Sequence, residues 1–287
     1  MNPPKIGFAD SQPLLIIDGD NLAHRAYHST PKTVTSADGL VINAIVGFTS
    51  MLVNLWQKEQ PRGVFVAWDT LGVDTYRSEL WPPYQTGRVF DHEIKVQLNL
   101  LPELCKAFGF AIGKEAGYEA DDFMAAAAIA ETARAGKSLL LTTDRDAYQL
   151  VNESVTVLAP SRVSRELDRI GPPEVVNRMG VLPEQVADFK ALSGDASDKI
   201  PGLKGIGPKT AAEMLLKHGS LENILETWTR PGDAELALKF REVVRMRPDC
   251  AVTLPDSGPP DWAAGAAALR HFGASNLADR VEKMAQS

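Results

Sequence analysis

Residues 14–20 read LLIIDGD, four unbroken apolar residues that run into two aspartates one residue apart. A strand with one solvated face alternates apolar and polar side chains. A short continuous run such as this one is instead a strand buried on both faces of a parallel sheet. The same form recurs in GVFVAWD (63–69) and SLLLTTD (138–144), and more weakly in SVTVL (154–158). Between the runs, segments 40–58, 91–108 and 119–135 carry apolar residues at helical spacing. Strands alternating with helices predict an α/β fold, a central and mostly parallel sheet flanked by helices. Beyond about residue 183 the strand pattern stops. Segments 183–192, 208–218, 220–228, 233–247, 261–272 and 275–285 read as helices, with GPP at 171–173 and 258–260 as turns. The expected organisation is a loose tail over 1–12, an α/β core over 13–182 and a helical region over 183–287.

Composition narrows the function classes. The 287 residues are 44% hydrophobic and 23% charged, ordinary values for a soluble globular protein. There is no run of 18 apolar residues to span a membrane, and MNPPKIGFADSQP lacks the apolar core of a signal peptide. Cys105 and Cys250 form neither a metal-spacing motif nor a disulfide framework, so the expected location is a reducing cytoplasm. A net charge of −7 disfavours a nucleic-acid partner at first sight, until the acidic residues are located.

Their locations are not random. Asp18 ends the first strand, Asp69 the second and Asp144 the third, with Asp146 two residues on. In an open parallel sheet, ligand sites form outside the carboxyl ends of the strands. Glu119, Asp121 and Asp122 in GYEADDF open the 119–135 helix, and Asp195 and Asp198 follow in GDASD. Taken singly, each has a plain explanation as a helix cap or a turn residue. Taken together, nine carboxylates in one cleft raise each other's pKa and call for cations. Oxygen donors without cysteine select hard ions such as Mg²⁺ or Mn²⁺. Two such ions, roughly 4 Å apart, are a common device for in-line attack on a phosphodiester. Setting the nine aside leaves 28 acidic against 30 basic residues, a remainder of +2. The acidity belongs to the site, and the rest of the surface need not repel a polyanion.

The stretch GLKGIGPKTA (202–211) supplies a grip. Gly202, Gly205 and Gly207 precede Pro208 at a first helical position, with Lys204 and Lys209 beside them. Small residues let backbone N–H groups approach a phosphate at a helix N-terminus, which positions a nucleic acid without reading its sequence.

The residues IDGDNLAHRAYH, GYEADD, TTDRDAYQL, GDASDKIPG and KGIGPKTA, in this order and spacing, resemble the flap endonuclease/5′-3′ exonuclease family, and in particular the 5′-nuclease domains of bacterial DNA polymerase I. The resemblance covers roughly residues 13–230 and implies a free-standing version of that domain. It implies a PIN-like core, a helical arch at about 70–100 and a helix-hairpin-helix (helix-three-turn-helix) module. One metal site would use Asp18, Asp69, Glu119 and Asp121. The other would use Asp144, Asp146, Asp195 and Asp198, with Asp122 between them. By the same resemblance Asp18, Arg77, Arg88 and Asp122 serve catalysis. Arg25, Tyr84, Gly202, Lys204, Gly205, Gly207, Lys209 and Thr210 would contact DNA, with a K⁺ ion at the hairpin. The implied substrate is DNA with 5′ flaps, nicks or ends, or an RNA primer in a hybrid, handled by a monomer.

Two residues depart from the family pattern. Gln85 stands where the family has a lysine after the tyrosine, and Lys199 where SDN is commoner than SDK. Trp56 and Trp68 read as packing residues, Tyr27 and Tyr84 as possible stacking surfaces for a base, and the five histidines as lacking ligand spacing. Two rival readings are weaker. An aspartyl-phosphate phosphatase would explain DGD (18–20) and GDASD but not GYEADD or the Gly/Lys hairpin. A non-catalytic DNA-structure binder would leave the full carboxylate set without a use.

Overall fold

The computed structural model describes residues 12–87, 90–161 and 166–286. Its sheet contains β1 (Leu14–Asp18), β2 (Gly63–Ala67), β3 (Ala111–Gly113), β4 (Ser138–Leu141), β5 (Val155–Pro160) and β6 (Leu167–Ile170), in the spatial order β3-β2-β1-β4-β5-β6. The first five strands are parallel, and β6 pairs antiparallel with β5. The mostly parallel α/β sheet read from the sequence is therefore present.

Strand β1 is buried along its whole length, and its side chains alternate between two cores. Leu14 and Ile16, with Phe65 and Leu140, face α5 (Ala120–Ala133). The alanine run at 125–128 lets that helix lie close to the sheet. Leu15 and Ile17, with Val64 and Val66, face α1 (Gly19–Ser29), α2 (Asn43–Glu59) and α4 (His92–Ala107).

Several elements differ from the sequence reading. β3 has three residues, too few for an apolar run to register, and β6 reads LDRI, with charge at two of its four positions. GPP at 171–173 does not merely turn the chain. Gly171 caps α6 (Pro172–Met179), and the prolines fill its first positions, where a missing N–H costs nothing. Between residues 70 and 91, the described part of the expected arch contains one five-residue helix, α3 (Tyr76–Leu80), followed by turns through Gly87.

After β6 and α6 the chain is helical: α7 (Val186–Ser193), α8 (Pro208–His218), α9 (Leu221–Glu226), α10 (Asp233–Val244), α11 (Trp262–His271) and α12 (Ser275–Glu282). α10 packs on α7, whereas α11 and α12 return to α4 and α2 and complete the second core through Trp262, Ala266, Leu269 and Val281. No helix among the described residues is long and apolar enough to cross a membrane.

Strand register is what positions the site. Leu14 lies opposite both Gly63 and Ser138, and Asp18 opposite Ala67, so β1, β2 and β4 finish level with one another. At the end of β1 the chain turns directly into α1. A Cβ on Gly19 would lie 2.6 Å from the Trp68 ring, so the close approach requires glycine there.

Candidate active site

Six carboxylates converge at the level strand ends. Asp18, Asp20, Asp69, Glu119, Asp121 and Asp144 line a cleft of about 290 Å³, together with Asn21, His24, Gln85 and Phe90. Asp18, Asp20, Asp69 and Glu119 are each aimed by local bonds. Asp18 caps α1, accepting from the Asn21 amide at 3.0 Å, and its other oxygen accepts from the Thr142 hydroxyl at 2.8 Å. Asp20 accepts from the Asp69 amide at 2.7 Å, and Asp69 from the Ala120 amide at 2.7 Å. The first turns of α1 and α5 are thereby tied to the end of β2. Glu119 caps α5 and accepts from the Thr75 hydroxyl at 2.8 Å and the Tyr84 hydroxyl at 3.0 Å.

Crowding in a buried cleft disfavours the charged forms. Burial, joined by the charges of Asp69 and Asp144, pushes the Asp18 carboxyl up to about 7 against the bonds from Asn21 and Thr142. Burial and then Asp69 hold Asp20 well above the ordinary carboxylate range. Burial, then the charges of Asp144 and Asp18, do the same to Asp121. Glu119 is also raised, burial outweighing the nearby Arg77.

A second group adjoins the first. Asp146, Asp195 and Asp198 each offer a carboxylate oxygen, all within 4.8 Å of one another. The Asp146 amide donates to Asp144 at 2.9 Å, linking the two groups. Lys190 enters from α7, its ammonium 2.5 Å from Asp195 and in direct contact with Asp146. Although burial acts in the opposite direction, Lys190 and the Ser197 hydroxyl hold the Asp195 carboxyl below its ordinary value.

Asp122 is placed differently from its eight companions. It is fully buried. Arg77 donates to it twice, at 2.7 and 2.8 Å, and it also accepts from the Tyr76 hydroxyl at 2.9 Å and the Arg247 amide at 2.8 Å. Arg77 is itself 2% exposed, 3.4 Å from Glu119, and donates to the Val243 carbonyl at 3.0 Å. The pair is an internal strut behind Glu119, so in this arrangement neither side chain is presented to a substrate. Tyr84, read above as a stacking surface, also has its ring in the core and its hydroxyl on Glu119. Tyr27 is buried too, its hydroxyl on Asp91 and Glu93. Arg88 lies outside the described residues. Arg25 is exposed on α1 and lines a separate cavity with Asn21, Thr142 and Thr143.

The two departures from the family pattern meet in space. Gln85 donates to the Tyr84 hydroxyl at 2.7 Å and to Asp198 at 3.2 Å. Lys199 donates to the Thr86 hydroxyl at 2.9 Å and to the Thr86 carbonyl, while its own carbonyl accepts from the Trp81 indole at 2.9 Å. These bonds fasten the 81–86 turns to the loop that carries Asp195 and Asp198. Lys199 holds φ at +57°, a left-handed conformation that is unfavourable for a side chain of its kind.

That loop continues into the glycine hairpin between α7 and α8. Gly202 packs against the backbone of Ser193 and Gly194, where a Cβ would come within 2.3 Å of the Gly194 nitrogen. Lys204, Gly205, Gly207, Lys209 and Thr210 are exposed around the start of α8, and the space beside Gly205 and Gly207 is open. Asp20 and Lys190 escaped the sequence reading. Both have a signal in hindsight, Asp20 two residues after Asp18 and Lys190 in the last turn of an apolar helix, five residues before Asp195.

Residues 13–180 match the family model of the 5′-3′ exonuclease N-terminal resolvase-like domain, and residues 181–254 that of the 5′-3′ exonuclease C-terminal SAM fold. The chain is also 36% identical to a 5′-3′ exonuclease of Aquifex aeolicus over 219 residues, 76% of this chain and 73% of that one. This chain belongs to the 5′-3′ exonuclease family. Another relative of this family member is DNA polymerase I of Mycobacterium tuberculosis (strain H37Rv), 37% identical over 256 residues, which cover 86% of the chain and 28% of the polymerase. The chain thus spans about a quarter of the length of the polymerases it matches. Two solved structures share its fold. The bacteriophage T5 flap endonuclease, determined in a pseudo-enzyme-product complex with DNA and metal ions, aligns with a TM-score of 0.68 at 22% identity, covering 96% of this chain and 100% of that one. The catalytic core of Rad2 in complex with DNA substrate aligns at 0.62 and 16% identity, covering 95% and 92%.

Proposed function

We propose that this 5′-3′ exonuclease family member hydrolyses phosphodiester bonds of DNA at 5′ ends and flaps, using two divalent ions, Mg²⁺ or Mn²⁺. The observation that carries the reading is the convergence of six carboxylates in one cleft, four of them driven upward in pKa by burial and by each other. A cleft built at that electrostatic cost fits a hard cation, and its all-oxygen donor set selects magnesium or manganese. Asp18, Asp69, Glu119 and Asp121 would hold one ion. Asp144, Asp146, Asp195 and Asp198 would hold the other. Such ions lower the pKa of an attacking water and offset charge on the phosphate and the leaving oxygen.

The remaining work falls to the chain's own residues. Thr142, Asn21 and the Ala120 amide fix the carboxylates that face the cleft. Gln85 presents an amide at its wall. The hairpin at 202–210, with Lys204 and Lys209 exposed, would grip the duplex by its backbone, and a K⁺ ion in that turn belongs to the same proposal. The core over 13–182 would thus cut, and the region over 183–287 would hold. The names of relatives support this reading, one a 5′-3′ exonuclease and another a flap endonuclease determined with DNA and metal ions.

The test is cleavage of a DNA junction labelled on its 5′ flap, with products sized to the nucleotide, in Mg²⁺, in Mn²⁺ and in chelator. Release of the flap in either metal, and none in chelator or from Asp144→Asn, is the expected result. Asp144→Asn should retain flap-DNA affinity within a few-fold, because phosphate contacts dominate binding. Metal-independent cleavage, or an affinity loss as large as the rate loss, overturns the proposal.

A further inference from the structure

Lys190 is the one lysine or arginine among the buried residues that sits inside the carboxylate cluster of Asp146, Asp195 and Asp198. It lies in the last turn of α7 and is 8% exposed, so its position is fixed by packing rather than by solvent. Its ammonium is 2.5 Å from an Asp195 oxygen and touches Asp146. Those are two of the three carboxylates whose oxygens come within 4.8 Å of one another. A point charge at that centre occupies the volume that a divalent ion bound by the same oxygens would need.

We propose that the Lys190 ammonium is a built-in competitor for the second divalent ion: it neutralises Asp146 and Asp195 in the metal-free protein and must withdraw before that ion loads. The inference rests on the two-ion reading above. Four methylenes and rotatable bonds let the ammonium leave while the stem stays packed. The ions therefore load in order. The site of Asp18, Asp69, Glu119 and Asp121 fills first, and the second site fills only at concentrations that displace Lys190. Lys190 is accordingly a positioning residue that sets the metal concentration at which the site is complete.

The experiment is Mn²⁺ binding to the full chain, followed by calorimetry and by the electron-resonance signal of the free ion, for wild type and for Lys190→Met. Met keeps the apolar stem and removes the charge. Wild type should bind one ion tightly and one weakly. In Lys190→Met the weak class should tighten by about tenfold or more, equivalent to ~1.4 kcal/mol, while the tight class stays within about two-fold. The same variant should melt lower than wild type in chelator, because three carboxylates are left to repel, and should gain more in melting temperature on adding Mn²⁺. Lys190→Gln, which retains a hydrogen-bond donor, should show the same changes and serves if Lys190→Met does not fold. Unchanged or weakened affinity of the weak class, with two ions still bound, overturns the role of Lys190 alone. One ion bound by wild type and by both variants overturns the two-ion reading as well.

Discussion

Asp122→Ala should cost the protein more stability than any other single change among its acidic residues. The carboxylate is fully buried and receives a two-bond fork from Arg77, a hydroxyl from Tyr76 and amides from Glu119 and Arg247. Removing one partner of a buried ion pair leaves the other charge uncompensated, at a cost of about 3–5 kcal/mol. Each orphaned donor would add about 1–3 kcal/mol if it found no substitute. Arg77 does keep two substitutes, Glu119 at 3.4 Å and the Val243 carbonyl at 3.0 Å. The loss should therefore stay near the ion-pair figure, and for a chain of this size the melting temperature should fall by on the order of 10 °C. Urea unfolding of the single variant gives the cost. The double variant Arg77→Met, Asp122→Leu should recover most of it, since an apolar pair of similar volume replaces a buried ion pair at little or no cost. If Asp122→Ala loses less than about 1 kcal/mol, or if Arg77→Ala unfolds normally while weakening flap-DNA binding, then Arg77 reaches the substrate and the strut is misassigned.

Three further outcomes follow from the site. Asp18 has its carboxyl raised to about 7, so the stability it contributes as a neutral group is complete below about pH 4 and is lost as pH rises through about 7. Melting temperature in chelator should fall over that window, while the gain from added Mn²⁺ should grow; a flat profile in chelator refutes it. Gly207→Val has open space around it and an ordinary φ of −92°, so it should leave unfolding unchanged yet weaken DNA binding, and Lys209→Ala should reduce the salt slope of binding by about one. Normal binding by both would make the hairpin purely structural. Gln85→Lys places a cation beside Asp198 at the cleft wall, and at saturating metal it should raise the single-turnover rate on a 5′ flap; an unchanged rate would mean that this wall does not assist chemistry.

The sheet was legible because β1, β2 and β4 are short continuous apolar runs, with an acid at the end of β1 and within three residues of the ends of β2 and β4, the pattern of strands buried on both faces. β3 and β6 were not legible, because three and four residues at the sheet's edges carry no periodicity of their own. Their identity comes from pairing with β2 and β5. In the site, spacing revealed which acids reach the strand ends, but not which of them faces inward. Asp121 and Asp122 are neighbours in sequence, yet helical geometry turns one into the cleft and the other onto Arg77. Lys190 was hidden for the converse reason, since in an apolar helix a single lysine reads as a solvated side chain until its tertiary partners are known.

The strip from Val243 to Arg247 has a consequence for how this protein can be dissected. Its backbone supplies carbonyls to Arg77, Tyr76 and Gln149, and amides to Asp122 and Gln149. The residues it serves all lie in the α/β half of the chain, whereas the strip itself ends α10 within the helical region. The hairpin is therefore not a detachable cassette. A gene fragment stopped anywhere between α8 and residue 247 would keep every carboxylate named above and still lose the lining that holds Asp122 and the 146–150 turn in place. Domain swaps between relatives would have to carry residues 243–247, and with them α11 and α12, along with the nuclease half.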